Sequence, residues 1–311
     1  MNKTLIYTLL PVIGVCLASC TGSGNKHKQI QKSDNFKTSV NLNSETVEIP
    51  DVLNVEEWVL GDSVLICQSL KSDTIFYALD ANTFEKKHAF GKKGEAPEEY
   101  VTPHVVDITN DTIIIADNGK KQLLRIVDGK IISKSGMTAG HLINMPKPAN
   151  KDGIAFLTTG KEGPFIGMLH SGLSQSDVLL SLSGIDGDIS NISYDINGEM
   201  LVATSSASGK TTVFDLNNGN TLLLEDTGES EYYYSDVACG DDSFYLLSQK
   251  GIDGNSMEGV SVIEEYAYDG TPLNSYSLDF MASRLLPDKS GNRFILLSPM
   301  DESFHIVRIN N

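Results

Sequence analysis

The sequence predicts an all-β fold, a six-bladed β-propeller. Short runs rich in β-branched and aromatic residues are bounded by Gly, Asp, Asn or Ser, which is typical of strands joined by tight turns. Six strongly apolar runs follow turn pairs that begin at Gly61, Asn110, Asp152, Asn197, Gly240 and Gly291, at spacings of 49, 42, 45, 43 and 51 residues. A second series of turns lies about twenty residues later, at Asp80, Asp128, Ser171, Asn217, Asp269 and the chain end at Asn310. Two interleaved series with one period indicate a four-stranded unit used six times, which is the pattern of a propeller.

The ends of the repeat predict how the ring closes. The sixth unit ends at residues 308–309 after its third strand, while an isolated strand at residues 46–49 belongs to no unit. Placing this N-terminal strand at the outer edge of the last blade removes an unpaired edge, which would otherwise favour aggregation. We therefore assign residues 46–311 to the propeller. A β-sandwich is the competing fold, but it does not explain six regular spacings.

Residues 1–19 have the pattern of a secretory signal peptide. Lys3 supplies a positive start, an apolar run covers residues 5–17, and small residues lead into Cys20. The run is shorter than the roughly 20 apolar residues that a membrane-spanning helix needs. The LASC tetrapeptide at 17–20 resembles the lipobox of bacterial lipoproteins, which implies cleavage before Cys20 and a membrane anchor of acyl chains on Cys20. The alternative is an ordinary secreted protein in which Cys20 is incidental.

Residues 20–45, which begin with the lipidated cysteine, are predicted to be a flexible tether. They are polar, rich in Lys, Ser and Asn, and show no apolar period. A coil of this length has a root-mean-square reach of roughly 28 Å, which would hold the folded body clear of the lipid headgroups. The lysines of this segment contact either acidic lipid or only water, and the second interpretation is the simpler one.

Charge and cysteine content exclude several classes of partner and site. The chain has 24 basic and 41 acidic residues, and removal of residues 1–19 takes away only Lys3. This acidic balance argues against nucleic acid as a partner, because phosphate binding needs clustered Lys and Arg. Cys67 and Cys239 remain in the mature chain and do not make a disulfide framework. We expect no metal and no cofactor, since the histidines lack the spacing of metal ligands.

Two segments resemble known propellers. The run at 112–128 (TIIIADNGKKQLLRIVD) is similar to the blade repeat of NHL-type propellers, in which an apolar strand ending in Ala-Asp meets a polar turn and another strand. The segment at 89–100 (AFGKKGEAPEEY) resembles the Gly-x-x-Gly-x-Gly-Pro-Gly-Glu-Phe pattern of TolB-like six-bladed propeller lipoproteins of Bacteroidota, with Ala96 and Glu98 where that pattern has glycine. The resemblance implies the fold and an envelope location. It implies no reaction, because most members of this family have no known biochemical function.

The loops on one face of the ring predict a ligand-binding surface around the channel mouth. Lys121 and Lys161 lie in loops between second and third strands, five of which carry a lysine, and the TolB-like segment adds Lys92 and Lys93. One interpretation is a lysine-rimmed mouth for an acidic sugar, a phosphate or a peptide carboxylate. The alternative is ordinary solvated surface, because the same loops also carry acidic residues.

Aromatic and imidazole side chains complete the candidate set. Tyr233, inside a run of three tyrosines before the fifth blade, either stacks on a ligand or packs between blades. His104 and His141 precede innermost strands, and they either approach the channel or are ordinary strand-end residues. The candidate ligand-binding residues are Lys92, Lys93, Tyr100, His104, Lys121, His141, Lys161 and Tyr233.

The function we predict is a non-catalytic binding module that holds an unknown ligand or envelope protein on its channel face. The alternative is an enzyme, a lyase or hydrolase acting on an extracellular polymer, with acids and bases from different blades meeting at the mouth. No catalytic residue is assigned. Thr21 rather than Asp follows Cys20, and residues 21–25 contain no acidic residue. These features predict lipid anchoring in the outer membrane, with the body facing the periplasm.

Overall fold

The strands described below come from a computed structural model. It describes residues 26–47, 49, 54–69, 71–138, 142–149, 153–170, 176–182, 185, 188–226, 233–250, 259–288, 291–300 and 302–309. These residues form 26 β-strands and one turn of 3-10 helix at Ile189–Asn191. Within these ranges, no helix has the length and apolarity needed to span a bilayer.

The strands form six small sheets, the blades of a propeller, and this confirms the predicted fold class. The strands before the first blade are β1 (His27–Gln31), β2 (Thr38–Leu42) and β3 (Ser44–Val47). Blades 1 to 3 contain β4 (Glu57–Leu60), β5 (Val64–Gln68), β6 (Thr74–Asp80), β7 (Lys86–Lys92), β8 (Pro103–Thr109), β9 (Thr112–Asp117), β10 (Gln122–Val127), β11 (Lys130–Gly136), β12 (Asn144–Ala149), β13 (Gly153–Gly160), β14 (Gly163–Leu169) and β15 (Ser176–Ser181). Blades 4 to 6 contain β16 (Ile192–Ile196), β17 (Met200–Ser205), β18 (Lys210–Asp215), β19 (Thr221–Glu225), β20 (Tyr234–Cys239), β21 (Ser243–Lys250), β22 (Val260–Ala267), β23 (Pro272–Leu278), β24 (Arg284–Pro287), β25 (Arg293–Leu297) and β26 (Phe304–Arg308).

The predicted turn series mark the blade hairpins wherever the structure describes them. The pair at Asn110 joins β8 to β9, and Asp128 lies between β10 and β11. Asn110 and Asp111 adopt positive φ angles of 47° and 61°, which Asn and Asp tolerate better than other non-glycine residues. This local turn chemistry is why the blade count could be predicted from the sequence.

The apolar core is divided among the six interfaces between neighbouring blades. One cluster of buried side chains lies at each interface among the described residues, and the sixth cluster joins blade 6 back to blade 1. In that closing cluster, Phe304 of β26 packs against Trp58 of β4, with ring centroids 5.3 Å apart. The ring is therefore closed by apolar packing as well as by strand pairing.

The described part of the segment predicted as a flexible tether, residues 26–45, forms strands instead, which corrects the boundary placed at residue 45. β1 pairs in parallel with β19 as a fifth strand of blade 4, and β2 pairs in parallel with β23 as a fifth strand of blade 5. We call residues 26–47 the N-terminal strap. Within β1, β2 and the segment between them, only Ile30, Phe36 and Leu42 pack against the core clusters. Three scattered apolar residues do not produce a periodic pattern. The backbone hydrogen bonds to the edge strands β19 and β23 do not depend on the side chains of β1 and β2, so the sequence of this segment does not predict them.

The predicted closure of the ring by an N-terminal strand is confirmed. β3 pairs antiparallel with β26 and completes blade 6, with Val47 opposite Phe304. This strand begins two residues before the predicted one, at Ser44 rather than Thr46. The strap thus crosses blades 4, 5 and 6 in order before the chain enters blade 1.

Candidate functional site

A cavity of about 300 Å³ lies in the central channel. Its wall is formed by the innermost strands of all six blades, β4, β8, β12, β16, β20 and β24. These strands come from positions spread along the whole chain, so the cavity exists only once the ring has closed. Its volume lies at the lower end of the range for small-molecule sites.

Each blade places at least one ionisable side chain at or beside this cavity. Taking one from each blade in order, we call Glu57, His104, Lys147, Asp195, Asp236 and Arg284 the channel ring. Blade 1 also contributes Glu56, which lines the cavity next to Glu57. Neighbouring blades 1 and 2, 3 and 4, and 5 and 6 each combine one acid with one base. The ring therefore consists of three acid–base pairs, and its charges balance when His104 is protonated.

The acids of the channel ring also bind the backbone of the next blade. Glu57 accepts the N–H of Val105 at 3.2 Å, and Asp236 accepts the N–H of Leu285 at 2.9 Å. Asp195 similarly accepts the N–H of Cys239 at 2.8 Å. These hydrogen bonds join adjacent innermost strands, which do not form a continuous sheet. They fix the carboxylates in place at the cavity wall.

Two of the three pairs are in contact and the third is not. Glu57 Oε1 lies 2.6 Å from His104 Nδ1, and Asp195 Oδ1 lies 3.2 Å from Lys147 Nζ. Asp236 and Arg284 interact electrostatically, but no hydrogen bond or ion pair joins their side chains in the part of the chain that the structure describes. The blade 5 and 6 side of the ring is consequently the open side.

The surroundings shift the pKa values of three ring members. Burial alone would lower the pKa of His104, but its hydrogen bond to Glu57 and the charges of Glu57 and Asp117 raise it above its usual value. Burial likewise opposes the charge on Lys147, whose pKa is nevertheless raised, chiefly by Asp195. Burial raises the pKa of Asp236, against the opposing effects of Arg284 and the N–H of Leu285.

The rest of the cavity wall is largely apolar. Trp58, Val237 and Leu286 are part of it, together with other aliphatic residues of the innermost strands. Tyr194 also lines the cavity, but its hydroxyl donates to the carbonyl of Met145 at 2.7 Å. The cavity can therefore accommodate an apolar body and offers charged groups at defined points of the ring.

The structure brings one of the predicted site residues, His104, to the channel. Tyr100 is 2% exposed and packs edge-on against Phe76, with centroids 5.3 Å apart, in the cluster between blades 1 and 2. Tyr233 is half-buried and packs against the cluster between blades 4 and 5. Both tyrosines thus lie at interfaces between blades.

The predicted lysines lie on the surface and not at the cavity. Lys92, Lys93, Lys121 and Lys161 are all exposed, and none of them lines the cavity. Asp117, the last residue of β9, holds both the segment before β8 and the turn that contains Lys121. Its carboxylate, which ends the Ala-Asp motif, accepts backbone N–H groups of Val101 and Thr102 and of its own turn. His141 and Cys20 lie outside the described residues.

Sequence reasoning missed five of the six members of the channel ring: Glu57, Lys147, Asp195, Asp236 and Arg284. A usable signal was present, because each is a charged residue inside the first strand of a predicted unit, where apolar residues are expected. What the sequence did not show is that the six strands face one another. Among the described residues, no group of three or more His, Cys, Asp or Glu is placed to hold a metal ion.

Comparison with known proteins gives matches at the level of fold. No protein-family model matches the sequence, and no curated protein matches it. A member of the DUF4221 family from Bacteroides vulgatus has a similar structure, with a TM-score of 0.57 at 9% identity over 89% of this chain and 94% of that chain. A putative exported protein from Bacteroides fragilis has a TM-score of 0.57 at 10% identity over 93% and 100%. The WD40 domain of Pan2 from Neurospora crassa has a TM-score of 0.51 at 11% identity over 83% and 75%.

At these identities the likeness shows the propeller fold alone. The ring of blades is shared with the two Bacteroides proteins and the WD40 domain. The narrower resemblance to TolB-like and NHL-type propellers stays a prediction from the segments at 89–100 and 112–128.

Proposed function

We propose that this protein is a non-catalytic binding module of the cell envelope, with its ligand site in the channel cavity. The observation that carries the proposal is the channel ring, since six blades converge to place six ionisable side chains around one small, partly apolar cavity. A site with an apolar wall and a few fixed polar groups is typical of small-molecule recognition. The proposal also includes an envelope protein that binds the same face by placing one of its side chains in the cavity.

We further propose that Cys20 is acylated and anchors the protein in the outer membrane, with the propeller facing the periplasm. The LASC tetrapeptide supports this proposal, and so does the likeness to a putative exported protein of Bacteroides fragilis. The strap changes the expected distance from the membrane. Only residues 20–25 lie between Cys20 and the start of the strap at Lys26, and six extended residues reach at most roughly 22 Å. The propeller would therefore lie closer to the lipid than the roughly 28 Å expected for a flexible tether that ends at residue 45.

Replacing Cys20 with serine should release the protein from the membrane. The wild type is expected in the outer-membrane fraction, with a mass increase on Cys20 that corresponds to acyl chains, and Cys20→Ser in the soluble fraction. Cell fractionation and mass spectrometry of the N-terminal peptide measure this. External protease should leave the wild type intact in whole cells. An unmodified Cys20, or digestion in intact cells, would contradict the anchor or its orientation respectively.

Filling the cavity should weaken ligand binding strongly. Val59 lines the cavity and is half-buried, so Val59→Phe occupies space that a ligand needs. Trp58 lines the same cavity and is the only tryptophan, so its fluorescence reports binding. We expect wild type to bind at least one member of a panel of amino acids, monosaccharides, uronic acids and short peptides. Val59→Phe should weaken that binding at least tenfold, as measured by fluorescence and calorimetry.

The matched control is the double variant Lys92→Met, Lys93→Met on the exposed surface, which should bind like wild type. Circular dichroism checks that both variants remain folded. Loss of binding in the double lysine variant with normal binding in Val59→Phe would move the site to the lysine rim. Absence of any ligand for the wild type across the panel would overturn the cavity as a small-molecule site.

A further inference from the structure

Arg284 is the cation of the channel ring that is free to bind a ligand. His104 is in contact with Glu57, and Lys147 is in contact with Asp195. Arg284 lines the cavity and is half-buried, and its guanidinium makes no hydrogen bond or ion pair to any residue that the structure describes. A guanidinium presents five N–H donors in a planar fork that matches the two oxygens of a carboxylate.

Asp236 supplies an acceptor on the neighbouring blade. Its side chain lines the cavity and is 7% exposed, and one oxygen is held by the N–H of Leu285. An ionised carboxylate has about four acceptor positions, so acceptor capacity remains for a ligand. Because Leu285 follows Arg284 directly, this hydrogen bond also keeps Asp236 beside the base of the Arg284 side chain. The cavity therefore presents a free donor fork on blade 6 and a fixed acceptor on the neighbouring blade 5.

The charges of the cavity disfavour a dianion more than a monoanion. Glu56, Glu57, Asp195 and Asp236 all line it, while Lys147 is already paired with Asp195. These carboxylates repel a phosphate dianion more strongly than a single carboxylate, so the group that suits Arg284 here is a monoanion. Val237, Leu285 and Leu286 provide an apolar wall nearby for the body of the ligand.

We propose that the channel cavity binds a small organic carboxylate that carries a hydrogen-bond donor, a hydroxyl or an ammonium, next to its carboxylate group. The carboxylate binds the fork of Arg284, and the donor binds Asp236. This inference rests on the proposed function and names its ligand chemistry. α-Amino acids carry an ammonium on the carbon that bears the carboxylate, and uronic acids carry a hydroxyl one carbon further away. The experiment distinguishes between these two classes.

The experiment compares matched ligands on the full-length mature protein. Glucuronate is compared with glucose, and leucine with leucine amide and with 4-methylpentanoate, using Trp58 fluorescence and calorimetry. We expect the acid with its donor to bind at least tenfold more tightly than either partner that lacks one of the two groups, because Arg–carboxylate pairs are among the stronger hydrogen-bonded contacts. Binding of glucuronate would identify the ligand class as uronic acids, and binding of leucine would identify it as α-amino acids.

Arg284→Gln should weaken the binding of the acid at least tenfold. Arg284→Lys should retain only part of the wild-type affinity, because lysine keeps the positive charge but lacks the planar fork of donors. Arg308→Gln is the matched control, since Arg308 is an exposed residue of the same blade paired with Glu45. Asp236→Asn should reduce the preference of the cavity for leucine over 4-methylpentanoate. Equal affinity in wild type and Arg284→Gln would overturn the inference. Binding of glucose as tight as that of glucuronate would also overturn it, while leaving the proposed binding function intact.

Discussion

Replacing Lys32 with methionine should lower the free energy of unfolding by about 3–5 kcal/mol, because it leaves a buried acid without its counter-charge. Lys32 follows β1 in the strap, and its side chain is 7% exposed. Its ammonium lies 2.7 Å from Glu264 and 3.0 Å from Asp226, and the Glu264 side chain is 1% exposed. The ammonium also lies 5.1 Å from the centre of the Tyr234 ring. Chemical denaturation followed by circular dichroism measures the change.

The charge state of Lys32 supports this expectation. Burial alone would lower its pKa, but Glu264 above all, and Asp226, raise it beyond its usual value. The side chain therefore remains charged through the whole range in which proteins are stable. The strap is bound by a buried ion cluster in addition to its backbone hydrogen bonds.

The control for this prediction is Lys28→Met, which removes an exposed lysine from β1 and should change stability by less than about 0.5 kcal/mol. The double variant Lys32→Met, Glu264→Gln should recover part of the loss, since a neutral amide costs less to bury than an unpaired carboxylate. A loss below about 1 kcal/mol for Lys32→Met would show that backbone pairing alone holds the strap.

Phe304→Ala should destabilise the ring at its closure by about 3–5 kcal/mol, the usual cost of removing a buried aromatic side chain. Phe304 is 1% exposed, packs on Trp58 of blade 1, and pairs with Val47 of the strap. Because Trp58 is the only tryptophan, its emission reports this interface while circular dichroism reports all blades. We expect the Trp58 emission of the variant to shift to longer wavelength at denaturant concentrations where the circular dichroism is still native.

The matched control is Phe214→Ala, which makes the same chemical change at a half-buried position between blades 3 and 4. It should cost less stability and leave the native Trp58 emission unchanged. Coincident transitions by both probes in Phe304→Ala would contradict a weakened closure, because they would show that the ring unfolds as one cooperative unit.

The blade count and the closing strand were predictable because their signals are local. Turn pairs such as those at Asn110 and Asn197 have a chemistry of their own, and strands with β-branched and aromatic residues follow them. The strap was not predictable in this way. β1 and β2 hold few apolar residues, and their stability comes from backbone bonds to β19 and β23, which lie about two hundred residues away in the chain.

The amino-acid sequence by itself determined the repeat and the position of its turns, because these depend on residues that are neighbours in the chain. It also identified the closing strand, because the last unit lacks a fourth strand and residues 46–49 belong to no unit. Only the tertiary structure decided which charged residues meet. Glu57, Lys147, Asp195, Asp236 and Arg284 belong to five different blades, and the closure of the ring brings their strands around one cavity. The pairing of charges across blades depends on distances through space, and those distances are set when the six blades pack into a circle.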